Sequence, residues 1–129
     1  MHNSKTKPYT KALKEIMNRK SHILSKAQAL SNIGTSETAQ SLWLSAATYE
    51  EHIAPMLDVL DRELEGSMHR VSAASCYEKA GELSRAVNLY RAALSGPLRD
   101  DTRQEVENML SACLAALNRH STRMPPRWG

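Results

Sequence analysis

Apolar residues recur every three or four positions along most of the chain, which is the periodicity of helices that bury one face. The first apolar stripe starts at about Thr10, is interrupted by Lys20, and ends at Gly34. Glycine commonly follows the last residue of a helix. A second stripe begins near Glu37, whose charge is favourable in a first helical turn. The pattern therefore predicts two consecutive helices joined by a short turn.

Pro55 interrupts the second stripe. A proline inside a helix costs roughly 3 kcal/mol, whereas in the first turn of a helix it costs little. We therefore expect a break or kink near His52–Ala54, with Pro55 opening a further segment that Gly66 closes. A single kinked helix is the alternative.

The remaining stripes predict a helix over about Ser67–Ala80, another from Leu83 that stops at Gly96, and a last one that ends near Leu117. Candidate caps of the last helix are Asp100, Asp101 and Thr102. We predict an all-α fold, a bundle of antiparallel helical hairpins with five or six helices. Its single domain covers residues 10–117, between a flexible N-terminus (1–9) and a disordered basic tail (118–129).

The composition agrees with a helical core. Phe is absent and only two Trp and four Tyr occur, so the core is built mainly from aliphatic residues. Cys76 and Cys113 fall on apolar helix positions, and we interpret them as buried small hydrophobes rather than as a disulfide. The sequence shows no signal-peptide pattern and no apolar run of membrane-spanning length. We expect a cytoplasmic protein without a membrane span.

Charge is distributed unevenly along the chain. Residues 1–34 carry seven Lys and Arg against one Glu, whereas residues 35–68 carry seven Asp and Glu against one Arg. Neighbouring helices of opposite charge attract each other, although an exposed ion pair contributes only about 0–1 kcal/mol. Alternatively, each charged face recruits a partner of opposite charge.

The stretch Ala74–Leu98 carries a motif. A small residue and an aromatic on one helix precede a turn glycine, and small, aromatic and small residues on the next helix precede a proline. The residues in these places are Ala74, Tyr77, Gly81, Ala86, Tyr90, Ala93 and Pro97. The pattern resembles the tetratricopeptide repeat, a helix-turn-helix unit. The resemblance implies one such repeat over about residues 68–98 and a function in holding another protein.

Three weaker resemblances point in the same direction. Leu42, Ala46 and Tyr49 mimic the start of an upstream repeat. The last three predicted helices are similar to the three-helix domain of microtubule-interacting and trafficking proteins, and soluble adaptor bundles of the vesicle-fusion type share the feature. Analogy of fold does not select the partner.

The repeat resemblance implies a concave partner-binding face made from the first helix of each hairpin. Carried over position by position, this face consists of Met68, Val71, Ser75, Glu78 and Lys79. The upstream match adds Gln40, Trp43, Ala47, Glu50 and Glu51. Apolar residues rimmed by acids suit an amphipathic helix or peptide with basic edges. Alternatively, Trp43 and Val71 belong to the core. The basic first helix could fill the groove in cis, or in trans as a dimer.

The sequence contains no recognisable catalytic signature. The histidines lack metal-ligand spacing and no Gly-rich phosphate loop occurs, so we expect no catalytic residue, metal or cofactor. We expect a non-catalytic interaction module, an adaptor, scaffold or chaperone-like subunit that binds a protein partner or self-associates into an oligomer. One alternative is nucleic-acid binding through the basic first helix, although Tyr9 is the only aromatic in that segment. Another is a small structural subunit of an obligate complex.

Overall fold

The computed structural model describes residues 6–34 and 36–123. Its helices are α1 (Lys11–Asn32), α2 (Ser36–Val59), α3 (Glu63–Lys79), α4 (Leu83–Leu94) and α5 (Asp100–Arg123). No strand occurs among the described residues, so the all-α prediction is confirmed. Short turns make consecutive helices antiparallel, and each helix packs chiefly against its neighbours in sequence.

The turns between α2 and α3 and between α3 and α4 have the same hydrogen-bond pattern. In the first, the backbone N–H of Arg62 donates to the carbonyl oxygen of Leu57 at 3.0 Å; in the second, that of Glu82 donates to Tyr77 at 2.9 Å. The residue before each donor has a positive φ, 59° for the aspartate of the first turn and 84° for Gly81. Both turns close the preceding helix with the bond typical of a left-handed C-terminal cap. The helices α2, α3 and α4 are therefore joined by equivalent turns.

The helix α2 runs through Pro55 without a break, so the structure has the single helix that the sequence left as the alternative. Proline removes one backbone donor, and the carbonyl that loses this donor belongs to Glu51, which is exposed, as Pro55 itself is. On the opposite side, Ile53 and Leu57 are fully buried. Their packing keeps α2 continuous in spite of the proline.

Gly66 lies inside α3, so the prediction that it closes a helix is wrong. It is buried, and a Cβ atom at this position would lie 3.2 Å from the carbonyl oxygen of Ala54 and would overlap the carboxylate of Asp58. The missing side chain allows α2 and α3 to approach closely. Similarly, a Cβ at Gly96 would lie 2.8 Å from Oγ of Ser67.

The residues just before α1, which the sequence placed in a flexible terminus, are held against the turn between α2 and α3. The N–H of Lys7 donates to the carbonyl oxygen of Leu60 at 3.0 Å, and Nε of Arg62 donates to the carbonyl oxygen of Lys7 at 2.6 Å. The hydroxyl of Tyr9 donates to the carboxylate of Glu65. Part of the predicted flexible terminus therefore contacts the turn between α2 and α3. Residues 1–5 lie outside the described residues.

The helix α5 begins at Asp100 and continues to Arg123. The three candidate caps therefore lie in its first turn, where Asp100 and Asp101 interact favourably with the helix dipole. Residues 118–123, which the sequence assigned to a disordered tail, are helical. The rest of that tail, residues 124–129, lies outside the described residues.

Alanine dominates the contacts between helices. Fully buried alanines are Ala27, Ala46, Ala47, Ala73, Ala74, Ala86 and Ala93. The main core cluster contains residues from all five helices. A second cluster, centred on Leu13 and Ile53, joins the start of α1 to the second half of α2. Small residues at these contacts let neighbouring helices approach closely.

Candidate functional site

The five candidate residues on α3 lie on or beside its open side. Met68 is 41% exposed and Lys79 is also exposed, whereas Val71, Ser75 and Glu78 are half-buried. Val71 packs against the main core cluster, in line with the alternative that it is a core residue. The surface of α3 that a partner can reach is therefore narrower than the five residues suggest.

Three of the five candidate residues on α2 are buried. The exposed fraction is 6% for Trp43, 0% for Ala47 and 2% for Glu50, whereas Gln40 and Glu51 are exposed. This burial arises because α2 packs against both α1 and α3, so it is not the open first helix of a hairpin that the upstream match implied. Ala47 offers no side-chain surface to a partner.

A cleft of about 420 Å³ separates α1 from α3, and α2 forms its floor. Four of the ten candidate residues line this cleft: Trp43, Glu50, Ser75 and Lys79. The lining residues that the sequence did not indicate are Leu24, Ser25, Gln28, Ser72 and Cys76. Ser72 and Cys76 on α3 follow Met68 at helical spacing, so the sequence could have indicated that they share its side of the helix. Those on α1 had no such signal, because the sequence does not show that α1 is the second wall of the cleft.

The indole of Trp43 links the floor of the cleft to both walls. Its Nε1 donates to Oγ of Ser31 on α1 at 3.1 Å. The ammonium of Lys79 on α3 lies 4.6 Å from the centre of the ring. A cation over an aromatic face is stabilised by about 0.5–1 kcal/mol at an exposed site. The cleft therefore has a positively charged side chain held at one end.

Glu50 is a buried carboxylate held by two other helices. Its Oε1 lies 2.6 Å from Nδ1 of His69 on α3, and its Oε2 lies 3.7 Å from Nζ of Lys20 on α1. A buried carboxylate without such partners would be strongly destabilising. The lysine that interrupts the apolar stripe of α1 thus meets an acid on the buried face of α2. The three side chains tie α1, α2 and α3 together at the cleft.

The other two candidate carboxylates are engaged elsewhere. Glu51 accepts a hydrogen bond from the hydroxyl of Tyr77, and Glu78 accepts one from that of Tyr90, each at 2.6 Å. Burial raises the pKa of both tyrosines, and the neighbouring carboxylate raises it further. Neither Glu51 nor Glu78 lines the cleft that contains Glu50. The acidic rim expected from the sequence is therefore not assembled around this cleft.

Cys76 reaches the cleft but is a poor nucleophile. Burial raises the pKa of its thiol to about 11, and the nearby carboxylate of Glu50 adds to the effect. The reactive form of a cysteine is the thiolate, which is scarce at neutral pH when the pKa is this high. Both Cys76 and Cys113 are free and buried, as the sequence predicts.

A smaller, mainly apolar depression of about 250 Å³ lies where α3 begins next to α5. Leu64 and Met68, which are 44% and 41% exposed, form one side of it, and Arg99 and Thr102 form the other. Because Leu64 and Met68 are one helical turn apart, they present a single apolar surface.

The helix α1 forms a wall of the cleft rather than filling it, and its outer surface is basic. Lys11, Lys14, Arg19 and Lys26 are exposed, and none of them forms an ion pair with a described residue. The ion pair that joins α1 to α2 is formed by Lys20 with Glu50. The opposite charges of the two helices are thus matched at the buried face, and the exposed lysines remain open to solvent.

Within residues 6–34 and 36–123, no group of three or more His, Cys, Asp or Glu side chains is placed to hold a metal ion. No helix in this part of the chain combines the length and the apolar character needed to cross a membrane. No protein-family model, curated protein or solved structure matches the chain.

Proposed function

We propose that this chain is a non-catalytic protein–protein interaction module, an adaptor, scaffold or chaperone-like subunit that binds a helix or peptide of a partner between α1 and α3. The observation that carries the proposal is the cleft itself: α1 and α3 both pack on α2 but leave an open space between them. Its lining combines apolar, hydroxyl and charged side chains. Such a mixture can bury part of a ligand and also fix its orientation.

The resemblance of the α3–α4 hairpin to a tetratricopeptide unit supports the proposal. Ala74 and Ala86 are fully buried in one core cluster, where they let the two helices approach closely. Tyr77 and Tyr90 are buried beside them, and Gly81 forms the turn. In that family, stacked hairpins present an extended concave surface to a partner.

Blocking the cleft tests the proposal. Ser75→Trp would fill it from α3, and Ser25→Trp would fill it from the exposed surface of α1, where a large side chain does not disturb the core. Ser111→Trp, at an exposed position on α5 outside the cleft, is the matched control. Partners captured from a lysate by the immobilised full chain are compared after circular dichroism has confirmed that each variant is folded.

We expect both cleft variants to lose a partner that the wild-type chain and Ser111→Trp retain. If folded Ser25→Trp and Ser75→Trp capture the same proteins in the same amounts as the control, binding in the cleft is refuted.

A further inference from the structure

The open face of α3, which we define as Leu64, Met68, Ser72, Ser75 and Lys79, runs along one side of the helix. These residues recur every three or four positions and are exposed or half-buried. From Leu64 to Lys79 the face spans roughly 22 Å, at 1.5 Å per residue. It joins the apolar depression beside α5 to the cleft beside α1. A partner helix of about four turns would be long enough to lie along all of it.

The chemistry changes along the open face. At the start of α3, Leu64 and Met68 are 44% and 41% exposed and offer an apolar contact. The middle consists of the small hydroxyl residues Ser72 and Ser75. At the end of α3, the ammonium of Lys79 lies over the ring of Trp43. The face is therefore apolar at one end and positively charged at the other.

The acids around the open face have partners within the fold, whereas Lys79 has no carboxylate partner among the described residues. The carboxylate of Glu50 is held by Lys20 and His69, and that of Glu65 accepts hydrogen bonds from Tyr9 and Arg62. These acids already have partners within the fold. By contrast, none of the described carboxylates forms an ion pair with Lys79. The wall contributed by α1 adds no acid to the cleft either.

We propose that the open face of α3 binds an amphipathic helix of a partner protein that carries an acidic side chain about eleven residues, or three turns, from an apolar anchor. The anchor contacts Leu64 and Met68, and the carboxylate contacts Lys79. This inference rests on the proposed function and names the chemistry of the partner. It replaces the basic-edged helix expected from the sequence, because the acids that were to receive basic edges do not form a rim.

Segments of the chain itself match this chemistry poorly. The first helix is basic, so α1 of a second copy would bring like charge to Lys79. Residues 118–129 contain Arg119, Arg123 and Arg127 and no acid. Charge complementarity with Lys79 therefore favours an acidic helix from a different protein over α1 or residues 118–129 of a second copy.

Synthetic helices test the inference on the full chain. Three fluorescent peptides of about sixteen residues share one leucine anchor and carry Glu, Gln or Lys about eleven residues away. Fluorescence anisotropy then measures their affinity. We expect the Glu peptide to bind roughly fivefold more tightly than the Gln peptide, as for one exposed ion pair, and the Lys peptide to bind most weakly. The preference for Glu should weaken as salt is added.

Variants of the chain identify the contacts. Lys79→Glu should reverse the preference, whereas the matched control Lys26→Glu, at an exposed position outside the cleft, should leave the order unchanged. Met68→Asp should weaken the three peptides together, because it removes the apolar contact. Both variant sites on α3 are exposed, so the fold should be retained.

The outcomes separate the two proposals. If no peptide binds, the inference is refuted, whereas the proposed function is decided separately by the cleft variants Ser25→Trp and Ser75→Trp. If the peptides bind but the Gln or Lys peptide binds as tightly as the Glu peptide, the acidic partner is refuted while binding at the face stands. If an oligonucleotide displaces the Glu peptide and binds independently of Lys79, the inference is overturned in favour of a nucleic acid.

Discussion

Gly66 faces the backbone of α2 from inside α3, and replacing it with alanine tests how closely the two helices approach. In an ordinary helix interior, Gly66→Ala would stabilise the protein by about 1 kcal/mol through helix propensity. Here the added methyl group would lie 3.2 Å from the carbonyl oxygen of Ala54, an atom of the main chain that cannot rotate away. The same methyl group would overlap the carboxylate of Asp58, which pairs with Arg70.

Overpacking of a buried site costs roughly 1–3 kcal/mol. Displacing the partly exposed pair of Asp58 with Arg70 adds at most about 1 kcal/mol. These losses exceed the gain in propensity, so we expect Gly66→Ala to lower the free energy of unfolding by about 1–2 kcal/mol. With an m-value near 2 kcal/mol/M for a small domain in urea, the midpoint of unfolding falls by roughly 0.5–1 M.

Urea denaturation monitored by circular dichroism measures this change, and an unaltered m-value ensures that the comparison is valid. Asp58→Ala/Gly66→Ala is the informative second variant, because it removes the overlap with the side chain but keeps the contact with the Ala54 carbonyl. We expect Gly66→Ala to lower stability in the Asp58→Ala background as well, but by less than in the wild-type chain. If Gly66→Ala is instead more stable than the wild type by the full propensity difference, the close approach of α2 and α3 is refuted.

Three further predictions concern the turns, the buried acid and the thiols. Gly81→Ala should lower stability by roughly 1–2 kcal/mol in a thermal melt, because φ at this position is 84°, and an unchanged melting temperature would contradict this. Glu50→Gln should lower it by about 3 kcal/mol in urea, since the charge of Lys20 loses its partner; wild-type stability would show that the pair is dispensable. The pKa of the thiols of Cys76 and Cys113 is raised from 9.0 to about 11 on folding, so the unfolded chain releases their protons first. The contribution of the thiols to stability should therefore be constant below pH 9 and fall between pH 9 and pH 11, by about 2–3 kcal/mol per thiol. An equally steep fall in the variant Cys76→Ala/Cys113→Ala would refute the shift.

Helix periodicity and turn chemistry were readable from the sequence, whereas the position of one helix against another was not. The hairpin around Gly81 was predictable because its two helices are adjacent in sequence and a glycine with a positive φ forms the turn between them. Pro55 misled the prediction because its local cost is outweighed by packing of residues distant in sequence. The sequence pattern predicts a helix end at Gly66, whereas in the structure this glycine lets α2 approach α3 closely.

The candidate site illustrates the same limit. Lys20 and Glu50 each stand on the apolar stripe of a helix, and two opposite charges at such positions were a signal for a buried pair. His69 completes the arrangement from α3 but carries no such signal. The wall contributed by Leu24, Ser25 and Gln28 depends on how α1 is seated on α2, which the periodicity of α1 alone does not determine.

Each helix packs mainly on its neighbours in sequence. We therefore expect the free energy of local opening to differ from one helix to another. The helix α5 packs mainly on α4, and it also borders α3 at the apolar depression. The start of α1 is additionally held by the contacts of Lys7 and Tyr9 with the turn between α2 and α3. We expect the amides of α5 to exchange hydrogen first, at a lower opening free energy than those of α2 and α3. An opening that detaches α5 would leave the cleft between α1 and α3 intact and would remove only the α5 side of the apolar depression.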